Sequence, residues 1–237
     1  MEMREYGAVL FDLDGVLTPT AEVHMQAWSD MFNAFLASRG VEADYTDEDY
    51  FRYVDGKPRY DGVRDFLASR GIELPLGTPE DAPELETVCG LGNRKNDAFN
   101  AVLERDGIAP YPGSLALVEQ LAADAVPMAV VSSSKNAPAV LEAADLTDFF
   151  PVIVDGNVAH AENIAGKPAP DTYLRAAQLF GVDPDDAIVV EDAVSGVAAG
   201  AAGGFAHVVG VDRGVGRQEL LDAGADIVVA DLGELVR

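Results

Sequence analysis

The sequence predicts an α/β protein: a Rossmann-like parallel-sheet core domain into which an all-helical domain is inserted. Three observations carry this. Over the second half of the chain, short apolar runs alternate with helix-like stretches, the pattern of a parallel sheet with right-handed crossovers. One further run, "GAVLF" (Gly7 to Phe11), stands alone near the start. Between Arg39 and Arg105 no convincing strand occurs. The first strand therefore belongs with the later ones, and residues 19–109 interrupt a core made of 1–18 and 110–237.

Taken in order, "GAVLF" is apolar on both faces, as a strand buried on both sides must be. "AEVHMQAWSDMFNAFLASR" (Ala21 to Arg39) is helical, with Val23, Ala27, Met31 and Phe35 on one face and Gly40 as the stop. Further helices are expected at Thr46 to Val54, at Pro58 to Arg70 with Gly71 following, and at Glu86 to Arg105 with Gly107 following. Between the last two, "GIELPLGTPEDAPEL" is a long loop of proline, glycine and acids. After "GIAPYPGS" the strand runs are "VPMAVVSS" (Val126 to Ser133), "DAIVVED" (Asp186 to Asp192), "FAHVVGV" (Phe205 to Val211) and "DIVVAD" (Asp226 to Asp231). The helices between and around them are "SLALVEQLAA", "APAVLEAA", "DTYLRAAQLF" and "VSGVAAGAA". Both joins of the insert, "LTPTAE" and "GIAPYPGS", contain proline.

Composition narrows the function. A formal charge of −25, from 41 acids against 16 bases, argues against nucleic acid or an anionic membrane as partner. A single cysteine, Cys89, offers no internal disulfide and no zinc cluster, which fits a reducing cytoplasm. The strand-like run begins too early for a signal peptide, and no apolar run approaches membrane length. Only four lysines occur, Lys57, Lys95, Lys135 and Lys167, each in or beside a stretch rich in Gly, Pro, Ser or Asn. In so acidic a chain that placement suggests anion handling.

The strand ends carry the chemistry. In open parallel sheets the active crevice lies beyond the carboxyl ends of the strands. The first strand ends in Asp12 and Asp14, the next in Ser132, Ser133 and Ser134, and a later one in Glu191 and Asp192. Lys167 precedes the helix "DTYLRAAQLF". Two carboxylates ~4 Å apart repel by ~4 kcal/mol at an effective dielectric of ~20, so four acids at one place require a cation. All-oxygen ligands favour Mg²⁺, which retains positions for water and a phosphate oxygen. A hydroxyl and an ammonium then hold the other phosphoryl oxygens in line with a carboxylate nucleophile.

The order and spacing of these residues resemble the haloacid dehalogenase-like phosphotransferase superfamily. "DLDGVLT", "VVSSS", "GKPAP" and "VVEDAVSG" are similar to its four motifs, in order, and the likeness covers essentially the whole chain. The resemblance implies that Asp12 is a nucleophile that becomes an aspartyl phosphate and that Asp14 is the general acid/base. Ser132 and Lys167 would bind the phosphoryl group. Asp12, Asp14 through its backbone carbonyl, Glu191 and Asp192 would bind Mg²⁺. Within the superfamily, "TAEVHMQAW", "GKPR", "NRKND" and "SSSKN" resemble the β-phosphoglucomutase family. That likeness implies a small sugar phosphate as partner, a monomeric enzyme and a helical cap. It puts Thr20 at the hinge and His24 near the acid/base. Arg59, Ser134 and Asn136 would hold the non-reacting phosphate, with Lys95, Asn96, Ser133 and Lys135 close by. Pro19 stands where many relatives have aspartate, Ser133 where alanine is more usual, and the loop from Glu73 to Leu85 is long.

Each residue has a plainer reading beside this one. Asp12 and Asp14 alone are as well explained by a turn. Ser132 to Ser134 alone would be a helix cap, Lys167 a solvent-facing lysine, Arg59 a helix-start arginine and His24 a structural histidine. Four motifs in one order weigh against that. Functionally, a phosphatase of the same fold is the alternative to a phosphomutase. A signalling receiver domain shares the acids and the lysine, but not the helical insert or the acid pair after a late strand.

Overall fold

In a computed structural model, which describes residues 2–42 and 44–237, the chain divides into two compact units. One comprises Met1–Pro19 and Ile108–Arg237, the other Thr20–Gly107. Along the chain, β1 (Ala8–Phe11) precedes four helical segments, α1 (Thr20–Ser38), α2 (Asp47–Asp49), α3 (Arg59–Ser69) and α4 (Val88–Asp106). There follow α5 (Pro112–Ala123), β2 (Met128–Val131), α6 (Ala137–Ala143), β3 (Val152–Val154), α7 (Gly156–Glu162), α8 (Asp171–Phe180) and β4 (Ala187–Glu191). The chain closes with α9 (Val194–Ala202), β5 (His207–Val211), α10 (Arg217–Asp222) and β6 (Ile227–Val229).

The six strands form one sheet in the order β3-β2-β1-β4-β5-β6, with every neighbouring pair parallel. β1 lies at its centre, with Phe11 facing Val130 of β2 and Val190 of β4. All four of its residues are buried, so both faces of the sheet are covered. Ala8 and Leu10 join Val131, Val189, Tyr173 of α8 and Val197 of α9 in one core cluster. Because side chains alternate along a strand, Val9 and Phe11 point to the opposite face.

The helical unit has a separate core built on rings. Phe32 lies 5.2 Å from Trp28, 4.9 Å from Tyr45 and 4.2 Å from Phe66, centroid to centroid. α1 buries Ala27, Met31 and Phe35 as its spacing predicts, along with Trp28, Phe32 and Leu36, while Val23 is only partly covered. Thr46 caps α2 in a reciprocal capping box with Asp49, and the chain runs on as a π-helical turn at Tyr50–Val54 where the sequence predicts an uninterrupted helix. β3 and the short α7 and α10 have no counterpart in the sequence reading. Among the described residues, no helix is long and apolar enough to cross a membrane.

Phe32 touches three rings, so Phe32→Ala should cost ~3–5 kcal/mol, the range for truncating a buried aromatic. Urea denaturation checks this; a change in unfolding free energy under ~1 kcal/mol would mean the site collapses around the lost ring.

Candidate active site

Parallel strands bring their carboxyl ends to one edge, and the central position of β1 sets Asp12 between the end of β2 and the end of β4. The Asp12 amide continues the ladder, donating to the Val190 carbonyl at 2.9 Å. The Ser132 amide does the same to Val154 at 3.0 Å. Both side chains therefore leave backbone that the sheet holds rigid.

Lys167 joins the cluster from the loop before α8. It is 3% exposed, and its Nζ donates to Asp12 Oδ1 at 2.6 Å, Glu191 Oε1 at 2.5 Å and the Val131 carbonyl at 3.0 Å. All three ammonium donors are thus satisfied. Glu191 is held from every side. Its Oε1 also accepts from the Tyr173 hydroxyl at 3.0 Å, and its Oε2 accepts from the Asp192 and Ala193 amides at 3.0 Å. The carboxylate lies so close to α9 that a Cβ at Gly196 would sit 1.7 Å from Oε1, which explains the glycine there. Tyr173 is a site residue the sequence reading missed, because it reads as one more apolar position of "DTYLRAAQLF".

The turn after β1 is fastened as firmly. The Thr18 and Leu17 amides donate back to the Leu13 carbonyl at 3.1 and 2.9 Å, and Asp14 forms an isolated parallel bridge with Thr18. Arg213 Nε donates to the Gly15 carbonyl at 2.8 Å, and Ser114 Oγ to the Val16 carbonyl at 2.7 Å. Neither stands out in the sequence, since each acts on backbone. Ser132 Oγ donates to Asp14 Oδ2 at 3.4 Å and accepts from the Ser134 amide at 3.0 Å. Ser134 Oγ accepts from the Asn136 amide at 3.1 Å, and the Lys135 carbonyl accepts from Asn157 at 3.0 Å. Ser133, Ser134, Lys135 and Asn136 form the connection from β2 to α6.

Charge is unbalanced here. Asp12, Glu191 and Asp192 are all buried and each offers an oxygen within 4.8 Å of the others. Lys167 supplies one positive charge against three acids. Burial alone pulls the Lys167 pKa down, but the charges and hydrogen bonds of Asp12 and Glu191 outweigh it and hold the group above its ordinary value. Burial pushes Asp12 well up, and against the pull of Lys167 the charges of Glu191 and Asp14 add to that push. A hard divalent cation fits both the oxygen donors and the excess of negative charge.

The remaining predicted residues lie in the helical unit, in two groups along α4. Lys95, 3% exposed, contacts His24 Nδ1 and sits 5.1 Å from the ring centroids of both Trp28 and Phe99. His24 stacks on Phe99 at 4.0 Å, and Thr20 is buried at the first residue of α1. Arg59 opens α3 and donates through Nη2 to Asn96 Oδ1 at 2.6 Å and through Nη1 to Asn93 Oδ1 at 3.5 Å. Burial draws its guanidinium below its usual range, with Tyr60 and Asp97 acting the other way. Lys57 departs from the anion-handling expectation, because it pairs with Asp65 at 3.0 Å.

Residues 6–204 match the family model described as haloacid dehalogenase-like hydrolase. The chain is 52% identical to a β-phosphoglucomutase of Mycobacterium bovis, over 97% of this chain and 91% of the relative. Among solved structures it resembles a β-phosphoglucomutase from Clostridium difficile, with a TM-score of 0.77 and 25% identity over 97% of this chain and 93% of that one. It also resembles CbbY from Rhodobacter sphaeroides in complex with xylulose-(1,5)bisphosphate, with a TM-score of 0.76 and 25% identity over 97% and 96% of the two chains.

The raised Asp12 pKa has a definite sign in stability. The folded state holds the Asp12 proton more tightly than the unfolded chain, so ionised Asp12 costs stability at pH values above the folded pKa. That cost is relieved as pH falls through the folded pKa toward the ordinary value of 3.8. In chelator at neutral pH, Asp12→Asn should therefore melt no lower than the wild type, and the difference should shrink on acidification. Melting curves of both proteins from pH 8 to 4 check this.

Proposed function

The chain belongs to the haloacid dehalogenase-like hydrolase family, and from that premise we propose that it is a Mg²⁺-dependent phosphomutase interconverting β-glucose 1-phosphate and glucose 6-phosphate. The observation that carries the chemistry is the buried carboxylate of Asp12 at the end of the central strand, bracketed by Lys167 and the acids of β4. The names of the relatives support the substrate.

In the proposed cycle the phosphoryl group starts on Asp12. Asp14 removes the proton from the sugar 6-hydroxyl, whose oxygen attacks phosphorus as the bond to Asp12 breaks. The bisphosphate then rebinds turned end for end. An Asp12 oxygen attacks the phosphorus at C1, Asp14 returns its proton to the departing O1, and glucose 6-phosphate leaves. Ser132 Oγ holds a phosphoryl oxygen through both transfers, and Lys167 Nζ holds another by giving up its bond to Asp12 while keeping those to Glu191 and the Val131 carbonyl. The 3.4 Å contact between Ser132 and Asp14 keeps the acid/base against the phosphoryl site. Asp12, Glu191, Asp192 and the Asp14 carbonyl would hold Mg²⁺, which when bound neutralises charge on the transferring group. Lys167 places Asp12 for attack, and Tyr173 with two backbone amides places Glu191.

Arg59 extends the reading to the second phosphate. It has no carboxylate within ion-pairing distance among the described residues, and it donates to the neutral amides Asn93 and Asn96. A guanidinium held by neutral amides in a chain of charge −25 suits a phosphate. His24, Thr20, Lys95, Ser133, Ser134, Lys135 and Asn136 are proposed to complete the sugar-phosphate contacts, in a monomer acting on a small solute in the cytoplasm. A phosphatase is the second reading, favoured by the hydrolase description of the family model.

Offered β-glucose 1-phosphate, Mg²⁺ and a trace of bisphosphate, the enzyme should form glucose 6-phosphate faster than free phosphate. Free phosphate as the main product would favour the phosphatase. Arg59→Ala should lower mutase turnover by roughly 10²-fold or more, while hydrolysis of acetyl phosphate, which needs no distal contact, falls far less. Equal losses in both assays would contradict the distal-phosphate role. Mg²⁺ at ~100 times its dissociation constant should stabilise the fold by ~2.7 kcal/mol, and Asp192→Asn should abolish that stabilisation in thermal melts.

A further inference from the structure

Arg59 does not reach its position unaided. At the start of α4, Gly92 leaves room for it: a Cβ there would lie 2.8 Å from Cδ1 of the Tyr60 ring and 3.1 Å from Cδ of Arg59. The next residue, Asn93, uses every polar site of its side chain. Its Nδ2 donates to the Pro79 carbonyl at 3.0 Å and the Asp81 carbonyl at 2.9 Å. Its Oδ1 accepts from the Tyr60 hydroxyl at 2.9 Å and from Arg59 at 3.5 Å. Turning the amide over would set its hydrogens against the guanidinium and its oxygen against two carbonyl oxygens, so only one orientation satisfies the network.

The two carbonyls belong to the long Pro/Gly/acid loop between α3 and α4, which is itself tied down. Thr87 Oγ1 donates to Asp81 at 2.6 Å, Arg94 Nε to the Pro83 carbonyl at 2.8 Å, and the Cys89 amide to the Leu76 carbonyl at 3.0 Å. Loop and guanidinium thus meet at one side chain. Being neutral, that side chain holds Arg59 in place without cancelling its charge, which a carboxylate at position 93 would do.

We infer that Asn93 is a positioning residue for the Arg59 guanidinium, and that the Pro79–Asp81 segment, acting through Asn93, sets how tightly this guanidinium takes the phosphate monoester of a sugar. The inference rests on the role of Arg59 in the proposed function. It makes the unusual loop a determinant of affinity, although it supplies only backbone carbonyls to Asn93.

A double-mutant cycle tests it. Arg59→Ala, Asn93→Ala and the double variant are made in the non-reacting Asp12→Asn protein, and glucose 6-phosphate binding is measured by calorimetry with Mg²⁺. Asn93→Ala should weaken binding about tenfold, roughly 1.4 kcal/mol, yet less than about twofold once Arg59 is absent, because coupled residues are non-additive. Asn93→Asp, of the same size, should weaken binding at least as much, and serves if Asn93→Ala fails to fold. Additive losses, or unchanged affinity in a folded Asn93 variant, would overturn the inference. A parent protein that binds no sugar phosphate would remove Arg59 as an anion contact and the inference with it. A wild-type enzyme that binds the sugar phosphate but makes none from β-glucose 1-phosphate would fail the mutase reading alone, with the cycle still readable.

Discussion

The ammonium of Lys167, shared between Asp12 and Glu191, is the interaction around which the strand-end cluster of the core unit is arranged. Taking charges out of water costs several kcal/mol per ion, and only close pairing with full hydrogen bonding offsets it. Lys167 meets that condition with three acceptors and Glu191 with four donated hydrogen bonds. Much of the local sequence follows. Tyr173 must carry a hydroxyl, position 196 must be glycine, and β1 must be central for Asp12 to lie between β2 and β4. Even so, one ammonium cannot balance three acids. The remaining negative charge and the oxygen donors fit a hard divalent cation.

The helical unit follows a different principle. Its stability comes from rings packed on Phe32. Lys95 is enclosed by His24, Trp28 and Phe99, and Arg59 by amides. Other bases of the unit do pair with carboxylates, Arg70 with Asp49 at 2.6 Å and Lys57 with Asp65 at 3.0 Å.

The strands β1, β2, β4, β5 and β6 were legible because burial on both faces writes them as unbroken apolar runs. β3 was not, although β6 is equally short and lies at the opposite edge; the first two residues of β3 are only partly buried. The π-helical turn at Tyr50–Val54 keeps a helix-like composition, so periodicity alone could not separate it from α2. Asp12, Ser132, Glu191 and Lys167 were legible because strand ends and a Gly-Lys-Pro loop mark them. Tyr173, Arg213, Ser114 and Asn93 were not. Each acts on another residue of the protein, through a hydroxyl on an apolar helix face or a bond to backbone, and spacing along the chain carries no trace of such partners.

The assignment of Asp12 as the group that takes the phosphoryl is tested most directly by chemical trapping. An aspartyl phosphate is an acyl phosphate, which borohydride reduces so that the aspartate becomes homoserine. Enzyme mixed with Mg²⁺ and sugar bisphosphate, then quenched with borohydride and digested, should contain homoserine at position 12, and none when Mg²⁺ is withheld. Homoserine at another aspartate, or an unmodified Asp12 in enzyme that is turning over, would contradict the assignment.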